Sequence, residues 1–295
     1  MSRPKNPTRS RDGAPRAPVT ASTDGAHRLR TICEFAYRTY ARPEFIHPDP
    51  LELVLGFKDV RDREVIGLFC ALLALGRVEG ILSACRAAIA AIPDPPRLIR
   101  DLSPRASRRA FLGFKYRFFG ADEMSRLAFG IGRLIDDHGS LEASLGDPSD
   151  VRAASDILEP LTVFTRRLRA AAGGLPGILL SDPATTSAHK RLNLYLSWMV
   201  RTDAVSPGGW ATVRPGQLLV PVDTHMLRIA RAFGITRRTT ADITTVREIT
   251  AAFRSVSPDD PVKYDFALTR LGINPGVRRG DVNAAIEQML DTAAR

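Results

Sequence analysis

Residues 218–235 read LLVPVDTHMLRIARAFGI and carry the clearest structural pattern of the chain. After Asp223, apolar side chains stand at positions 226, 229, 230 and 233, the spacing of a helix with one buried face. Asp is a common residue type at a helix N-cap, and Gly234 suits the position that follows a helix end. The stretch therefore predicts an extended segment over 218–222 and then a helix that begins after Asp223.

Helical periodicity of this kind recurs along most of the chain, whereas no series of alternating strands appears. Gly76 is expected to end a strongly apolar helix, and Thr186 or Ser187 to cap a helix that contains Lys190. Ser257 is expected to cap a later helix over 258–271. The pattern predicts an all-α fold with two helical lobes, in which the chain leaves the first lobe and returns to it near its C-terminal end. The remaining predicted helices cover 29–40, 62–75, 78–91, 107–111, 122–137, 149–172, 241–253 and 281–294.

The charge balance points to a polyanionic partner. The 295 residues carry a formal net charge of +10, and residues 1–30 supply half of it, with seven Lys or Arg against two Asp. Residues 1–25 show no apolar period and are rich in proline, so we expect a disordered basic tail ahead of a helical domain over 26–295. A basic protein of this type is expected to bind nucleic acid.

Several classes of protein are disfavoured by composition. Three cysteines, Cys33, Cys70 and Cys85, are too few and too far apart for a disulfide framework or a CxxC metal site, which favours a reducing cytoplasmic setting. A DNA partner would place the protein at the nucleoid. The scattered histidines do not predict a metal site, and we expect no cofactor. No run of 18 apolar residues predicts a membrane span. We expect a monomer.

Lysine is rare in this chain, and one lysine is of particular interest. Of the 42 Lys and Arg residues only five are Lys, and Lys190 opens the helical text KRLNLYLSWMVR. A lysine is needed where an amine must lose its proton and attack carbon, a task that arginine does not perform. Lys190 is therefore a candidate nucleophile, although a solvated residue or a phosphate contact is the plainer interpretation. Lys263, in DDPVKYD, is the rival candidate, or else part of a bracing ion pair.

The text VPVDTHMLRIARAFGI resembles the VDTH-plus-helix signature of the helix-hairpin-helix/Gly-Pro-Asp DNA glycosylase superfamily, which includes endonuclease III. The wider text KRLNLYLSWMVR, VSPGGW, LLVPVDTHMLRIAR and DPVKYDFALTRLGI resembles a bacterial family of unassigned function in or near that superfamily. The resemblance implies a two-lobed helical fold and base excision from DNA. It also implies that Asp223 is the catalytic carboxylate, although an ordinary N-cap is the structural alternative.

The chain departs from the superfamily in its hairpin. The usual members carry a hairpin of the LPGVGxKTA type, whereas the text before Lys190 is SDPATTSAHKR, without a GxG. The 33 residues from Lys190 to Asp223 are similar to the longer separation of the archaeal 8-oxoguanine glycosylase branch. The hairpin is therefore atypical, and Lys190 is carried over as the nucleophile on this basis. No cysteine after Cys85 could ligate the superfamily's iron–sulfur cluster.

The expected partner is double-stranded DNA that contains a damaged or modified base. His225 is expected to contact a phosphate or to fix Asp223. Trp210 is interpreted as a core residue, with stacking on a base as the alternative. Predicted phosphate-binding or cleft-facing basic residues are Arg77, Arg191, Arg201, Arg228 and Arg231.

Two further functions stay open. A protein that keeps the helical scaffold without catalysis would bind nucleic acid and turn nothing over, and the missing GxG favours this alternative. A helical protein-interaction adaptor would have no affinity for DNA at low salt.

Overall fold

The computed structural model describes residues 23–92, 94 and 103–271, and over these ranges the fold is all-α, as predicted. One two-stranded antiparallel hairpin and three short 3-10 turns accompany the helices. The helices are α1 (Thr23–Tyr40), α2 (Leu51–Val54), α3 (Val60–Leu73), α4 (Val78–Ala91), α5 (Pro104–Ala110), α6 (Ala121–His138), α7 (Pro148–Ala153), α8 (Leu158–Ala171), α9 (Lys190–Val200), α10 (Thr224–Ala232), α11 (Ile243–Val256) and α12 (Asp265–Leu271). The 3-10 turns cover Pro43–Phe45, Ala143–Leu145 and Pro215–Gln217.

Helix α3 lies at the centre of the core. Asp59 caps it by accepting hydrogen bonds from the backbone N–H groups of Arg61 and Asp62. Every residue from Glu64 to Leu73 is buried, as expected for a helix that is apolar on all sides. It packs against α9, α4 and α2. The sequence predicted this helix over 62–75, and it begins and ends two residues earlier.

The two ends of the described chain pack together. Helix α1 contacts α11 and α12, and α12 also contacts α10. The sequence predicted that the chain leaves a first lobe and returns to it near its C-terminal end, and α12 does pack against α1. In a second group of helices, α5 and α8 both pack against α6. The two-lobed glycosylase arrangement remains a prediction.

The largest differences from the predicted helices concern the division of one helix, the start of another and the cap of a third. Residues 149–172 form two helices, α7 and α8, because the chain leaves α7 at Ala154 and Asp156 accepts the N–H of Leu158 at the start of α8. The helix predicted over 258–271 begins only at Asp265, since residues 257–264 form turns and Ser257 ends α11 instead. Neither Thr186 nor Ser187 caps α9, because His189 occupies the N-cap position.

A small hairpin was not predicted. Strands β1 (Lys115–Tyr116) and β2 (Phe119–Gly120) pair antiparallel, and Arg117 at the turn has φ 51°, a left-handed conformation that is uncommon for a non-glycine residue. Tyr116 donates a hydrogen bond to the Leu75 carbonyl at 2.7 Å, which ties the hairpin to the end of α3. Phe118 at the turn is 62% exposed.

Some predictions fall on residues that the structure does not describe. The basic tail over 1–25 lies outside the described chain except for residues 23–25, which belong to α1. The predicted helix over 281–294 lies wholly outside it. Within the described residues, no helix combines the length and the apolar character that a membrane span requires.

Candidate functional site

A cleft of about 860 Å³ lies between α9 on one side and α10 and α12 on the other. The ends of α3 and α4 that meet at Gly76 and Arg77 complete its wall, together with the segment before α2. Lys190 and Asp223, 33 residues apart in the chain, both line this cleft. Ser197 of the same helix and Arg201 directly after it line the cleft as well.

Asp223 is the N-cap of α10. Its Oδ1 accepts the backbone N–H of His225 at 2.8 Å and that of Met226 at 2.9 Å. Its Oδ2 accepts no hydrogen bond from any residue in the described ranges. Asp223 is half-buried and follows Pro221 and Val222 of the buried segment 218–222. The side chain therefore holds the helix start with one oxygen and has the other available to the cleft.

Lys190 is the first residue of α9. Its side chain is half-buried, and over the described residues it forms no hydrogen bond and no ion pair. The amine is thus not committed to bracing the fold, and it is positioned at the cleft wall by the start of a helix whose opposite side is packed against α3.

The residue before Lys190 fixes the direction in which the chain enters α9. His189 has φ 48°, a left-handed conformation. Its Nδ1 lies 3.1 Å from the Ser181 hydroxyl and its Nε2 lies 3.3 Å from the Thr185 carbonyl oxygen. Burial lowers the pKa of His189, so the neutral imidazole is favoured. A buried, hydrogen-bonded histidine that adopts a strained backbone is typical of a position that the surrounding structure must enforce.

A second carboxyl group, that of Asp265, lines the cleft at the first residue of α12. The residue is 9% exposed, and its Oδ1 is buried without any hydrogen-bond partner among the described residues. Burial is the main cause of a raised pKa of about 7, and the negative charge of Asp223 raises it further. The positive charges of Lys190 and Arg201 act in the opposite direction.

Arg201 was predicted to contact DNA, and its geometry points to a structural role instead. It is 4% exposed and forms ion pairs with Asp203 at 2.7 Å and with Asp260 at 2.8 Å. It also donates to the Ser206 hydroxyl at 2.8 Å. Burial acts to raise the pKa of Asp203, but the Arg201 charge and the N–H donors of Val205 and Ser206 hold it below its usual value.

Arg191 also braces the protein. Its guanidinium donates hydrogen bonds to the backbone carbonyls of Leu72 and Ile178, and it lies over the Phe119 ring. Burial lowers its pKa. A phosphate contact by Arg191 stays a prediction, and it would use a guanidinium that already joins α3 to the loop before α9.

The other predicted phosphate contacts are more accessible. Arg228 and Arg231 are exposed on α10, as predicted, and Arg77 is exposed at the cleft wall. Arg228 donates a hydrogen bond to His225 Nδ1 at 2.9 Å, and His225 lines the cleft. Phosphate contacts by these three arginines stay a prediction.

Lys263, the rival nucleophile, and Trp210, for which base stacking was the alternative, both have contacts that explain them as packing residues. Lys263 forms an ion pair with Glu34 at 2.9 Å and lies over the rings of Tyr37 and Tyr264, as a bracing residue would. Trp210 is buried and donates to Glu64 at 3.1 Å. Burial raises the pKa of Glu64.

Sequence reasoning missed part of the cleft. The run DDPVKYD, which ends at Asp265, was interpreted as the source of a bracing ion pair, and Asp49 and Arg270 were not considered. Asp49 and Arg270 form an ion pair at 2.6 Å in the cleft wall. The spacing of residues 259–265 did not show that Asp265 faces the cleft, because the start of α12 decides which acid of that run does so.

No group of His, Cys, Asp and Glu side chains in the described part of the chain is arranged to hold a metal ion. Searches of the curated proteins and of the solved structures found no match to this chain. A family described as a protein of unknown function, DUF2400, matches residues 49–274, which include every residue of the cleft wall except Pro48. The match spans most of the 295 residues, so this chain is a member of the DUF2400 family.

Proposed function

We propose that this protein is a DNA glycosylase or glycosylase/lyase that removes a damaged or modified base from double-stranded DNA. The observation that carries the proposal is the meeting of Lys190 and Asp223 in one cleft. The two residues come from separate helix starts, and neither forms an ion pair within the described part of the chain. The proposed arrangement is a two-lobed glycosylase-like fold with an atypical hairpin before Lys190.

The chemistry requires an amine and a carboxylate on the same sugar. Breaking an N-glycosidic bond builds positive charge on the sugar, and the free oxygen of Asp223 would stabilise that charge. The neutral amine of Lys190 would bond to the anomeric carbon as the bond to the base breaks. The resulting Schiff base allows the DNA strand to be cut by elimination, which is the lyase step.

The dimensions of the cleft support a flipped nucleotide as the ligand. A volume of about 860 Å³ lies within the range of pockets that enclose small organic ligands. An enzyme that acts on a base must first extrude it from the stack, and the gap is commonly filled by an apolar side chain. Phe118 is exposed on the hairpin that is tied to the end of α3 beside Gly76. We propose Phe118 as that wedge.

The test is borohydride trapping with duplex oligonucleotides that contain an abasic site. The wild-type protein should form a covalent adduct with the DNA, and Lys190→Ala should form none. Lys58→Ala is the matched control, because Lys58 is exposed and does not line the cleft. Base release is measured in parallel on duplexes that carry 8-oxoguanine, uracil, hypoxanthine or thymine glycol.

The same experiment separates the alternatives. DNA binding that survives the joint change Lys190→Ala and Asp223→Ala, with no adduct and no base release by the wild type, would favour a non-catalytic nucleic-acid-binding protein. Base release without an adduct would indicate that Asp223 activates water in a monofunctional enzyme. A lack of DNA affinity at low salt would point to an adaptor.

A further inference from the structure

We propose that Asp265 is the acid that protonates the departing base, a catalytic role separate from those of Lys190 and Asp223. This inference rests on the proposed function, and it adds a third residue to the reaction. It divides the work of the cleft, since Lys190 and Asp223 act on the sugar while Asp265 acts on the base.

The first support is position. Asp265 opens α12 and faces the same cleft as Lys190 and Asp223. Helix α12 packs against both α1 and α10, so the carboxyl is carried by an element that is held from two sides. A catalytic group must be held within a small distance of its productive position, and a packed helix meets this requirement better than a loop.

The second support is that Asp265 has no hydrogen-bond or ion-pair partner for its carboxyl in the part of the chain that the structure describes. Buried carboxylates are normally hydrogen bonded or paired with a cation. The Asp265 carboxyl accepts no hydrogen bond in the described chain, and its Oδ1 is fully enclosed. By contrast, Asp203, Asp260 and Asp49 are each ion-paired with arginine. An unpaired buried acid that faces a cleft costs stability, which favours a functional explanation.

Burial, more than the charges that face it, raises the pKa of Asp265. Asp223 on α10 and Asp49 before α2 are negative, whereas Lys190 and Arg201 on α9 are positive. Arg201 is already neutralised by Asp203 and Asp260, and Arg270 of α12 is neutralised by Asp49. With burial added, the pKa of Asp265 is raised to about 7, so much of the group is a neutral acid at physiological pH. General acids are effective when their pKa lies near the working pH.

The proposed step breaks the bond between the base and the anomeric carbon and protonates the base. The Lys190 nitrogen forms a bond to the anomeric carbon while the bond from that carbon to the base breaks. The electron pair of the broken bond stays on the base, which takes the Asp265 proton and leaves as a neutral molecule. The proton lost by the new ammonium group passes to Asp223, and water reprotonates Asp265 after the base has left.

The deciding experiment compares two substrates with one variant, Asp265→Asn. On duplexes that contain 8-oxoguanine, uracil, hypoxanthine or thymine glycol, the variant should release the preferred base about 100-fold more slowly than the wild type. On a preformed abasic site no base has to leave, so borohydride trapping by the variant should stay within about threefold of the wild type. Asp223→Asn is the comparison, because it should reduce both reactions.

Several results would overturn the inference. Equal loss of base release and trapping in Asp265→Asn would mean that the residue only supports the fold or Lys190. Unchanged base release would mean that it takes no part. If the wild type traps abasic DNA but releases none of the four bases, no base departs for Asp265 to protonate. This result would reject the role of Asp265 without rejecting the lyase step of Lys190. If the wild type shows neither reaction, the proposed function fails with it.

The pH profile gives a second readout that a structural residue would not alter. Base release by the wild type should fall above pH about 7, as Asp265 loses its proton. Asp265→Glu should keep this descending limb, whereas Asp265→Asn should lack it. Thermal unfolding of each variant checks that it is folded. A descending limb that persists unchanged in Asp265→Asn would contradict the proposal even if the rate is lower.

Discussion

Asp223 binds the backbone N–H of His225 at 2.8 Å through Oδ1 alone, and its Oδ2 accepts no hydrogen bond within the described residues. A helix cap and a catalytic carboxylate are therefore compatible roles for this one side chain. The cap fixes the position and rotation of the carboxylate, and the second oxygen is left for the cleft. The sequence presented these roles as alternatives, because a linear pattern does not show how many oxygens a cap uses.

Because one oxygen of Asp223 caps the helix and the other is left for the cleft, two substitutions of this residue should differ in their effect on stability and have the same effect on activity. Asn retains a cap oxygen, so Asp223→Asn should change the free energy of unfolding by less than about 0.5 kcal/mol, whereas Asp223→Ala should cost about 1 kcal/mol. Both should abolish base release. Urea unfolding and the glycosylase assay measure the two effects. Full activity of Asp223→Asn would show that the negative charge is not needed.

The sequence predicted the helices well where one pattern dominated. The helix over 78–91 was predicted with the bounds that α4 has, and Gly234 adopts the left-handed conformation expected after α10. A site position for Lys190 could also be predicted, because a rare residue type at the start of a helix can be recognised in the sequence. These features depend on local periodicity and on residue choice.

Long-range packing decided the features that the sequence did not predict. The start of α12 falls at Asp265 because Asp260 turns back to Arg201, a contact across 59 residues. His189 replaces the predicted caps of α9 because contacts with Ser181 and Thr185 fix the loop before it. Asp265 could be identified as a cleft residue only when the neighbours of α12 were known.

The buried arginine of the cleft wall should be essential for folding. Arg201→Ala leaves Asp203 and Asp260 without their shared cation and should cost about 3–5 kcal/mol in the free energy of unfolding at neutral pH. The pKa of Asp203 is lowered, so its contribution is present above pH about 4 and is lost as the pH falls through its folded-state pKa.

Arg133→Ala is the control for that change, because Arg133 pairs with Asp137 on an exposed face of α6. Its effect in the same urea titration should be below about 0.5 kcal/mol. A loss of less than about 1 kcal/mol for Arg201→Ala would show that the two carboxylates find other partners.

The unpaired carboxyl of Asp265 should cost the protein stability at high pH. Its pKa is raised to about 7. The contribution of this group to the free energy of unfolding is therefore fully present below the unfolded-state pKa of about 4 and is lost as the pH rises to about 7. Asp265→Asn should therefore be more stable than the wild type at pH 8, by up to about 4 kcal/mol, and close to it at pH 4. Thermal unfolding at both pH values tests this. A variant that is less stable at pH 8 would indicate that the ionised carboxyl is paired.

The exposed aromatic side chain of the hairpin should matter for DNA and little for the fold. Phe118→Ala should leave thermal stability unchanged, because the ring is 62% exposed, and should reduce base release from a paired lesion at least tenfold. Release of the same base from single-stranded DNA should change little, since no gap has to be filled. Leu112→Ala is the control, at a side chain that is 84% exposed outside the hairpin. Equal effects on single and double strands would contradict a wedge role.

The exposed arginines of α10 should set the salt dependence of DNA binding. Each phosphate contact that is removed lowers the slope of log affinity against log salt by about one unit, so Arg228→Ala with Arg231→Ala should lower it by about two. Binding to undamaged duplex at several salt concentrations measures the slope. Arg133→Ala on α6, which contributes no residue to the cleft, should leave the slope unchanged. If all three substitutions lower the slope equally, the positive charge acts as a diffuse field and α10 has no special place in the interface.

Because Arg228 also donates to His225, Arg228→Lys separates the two roles: it retains the charge at the surface and removes the guanidinium that holds the imidazole at the cleft.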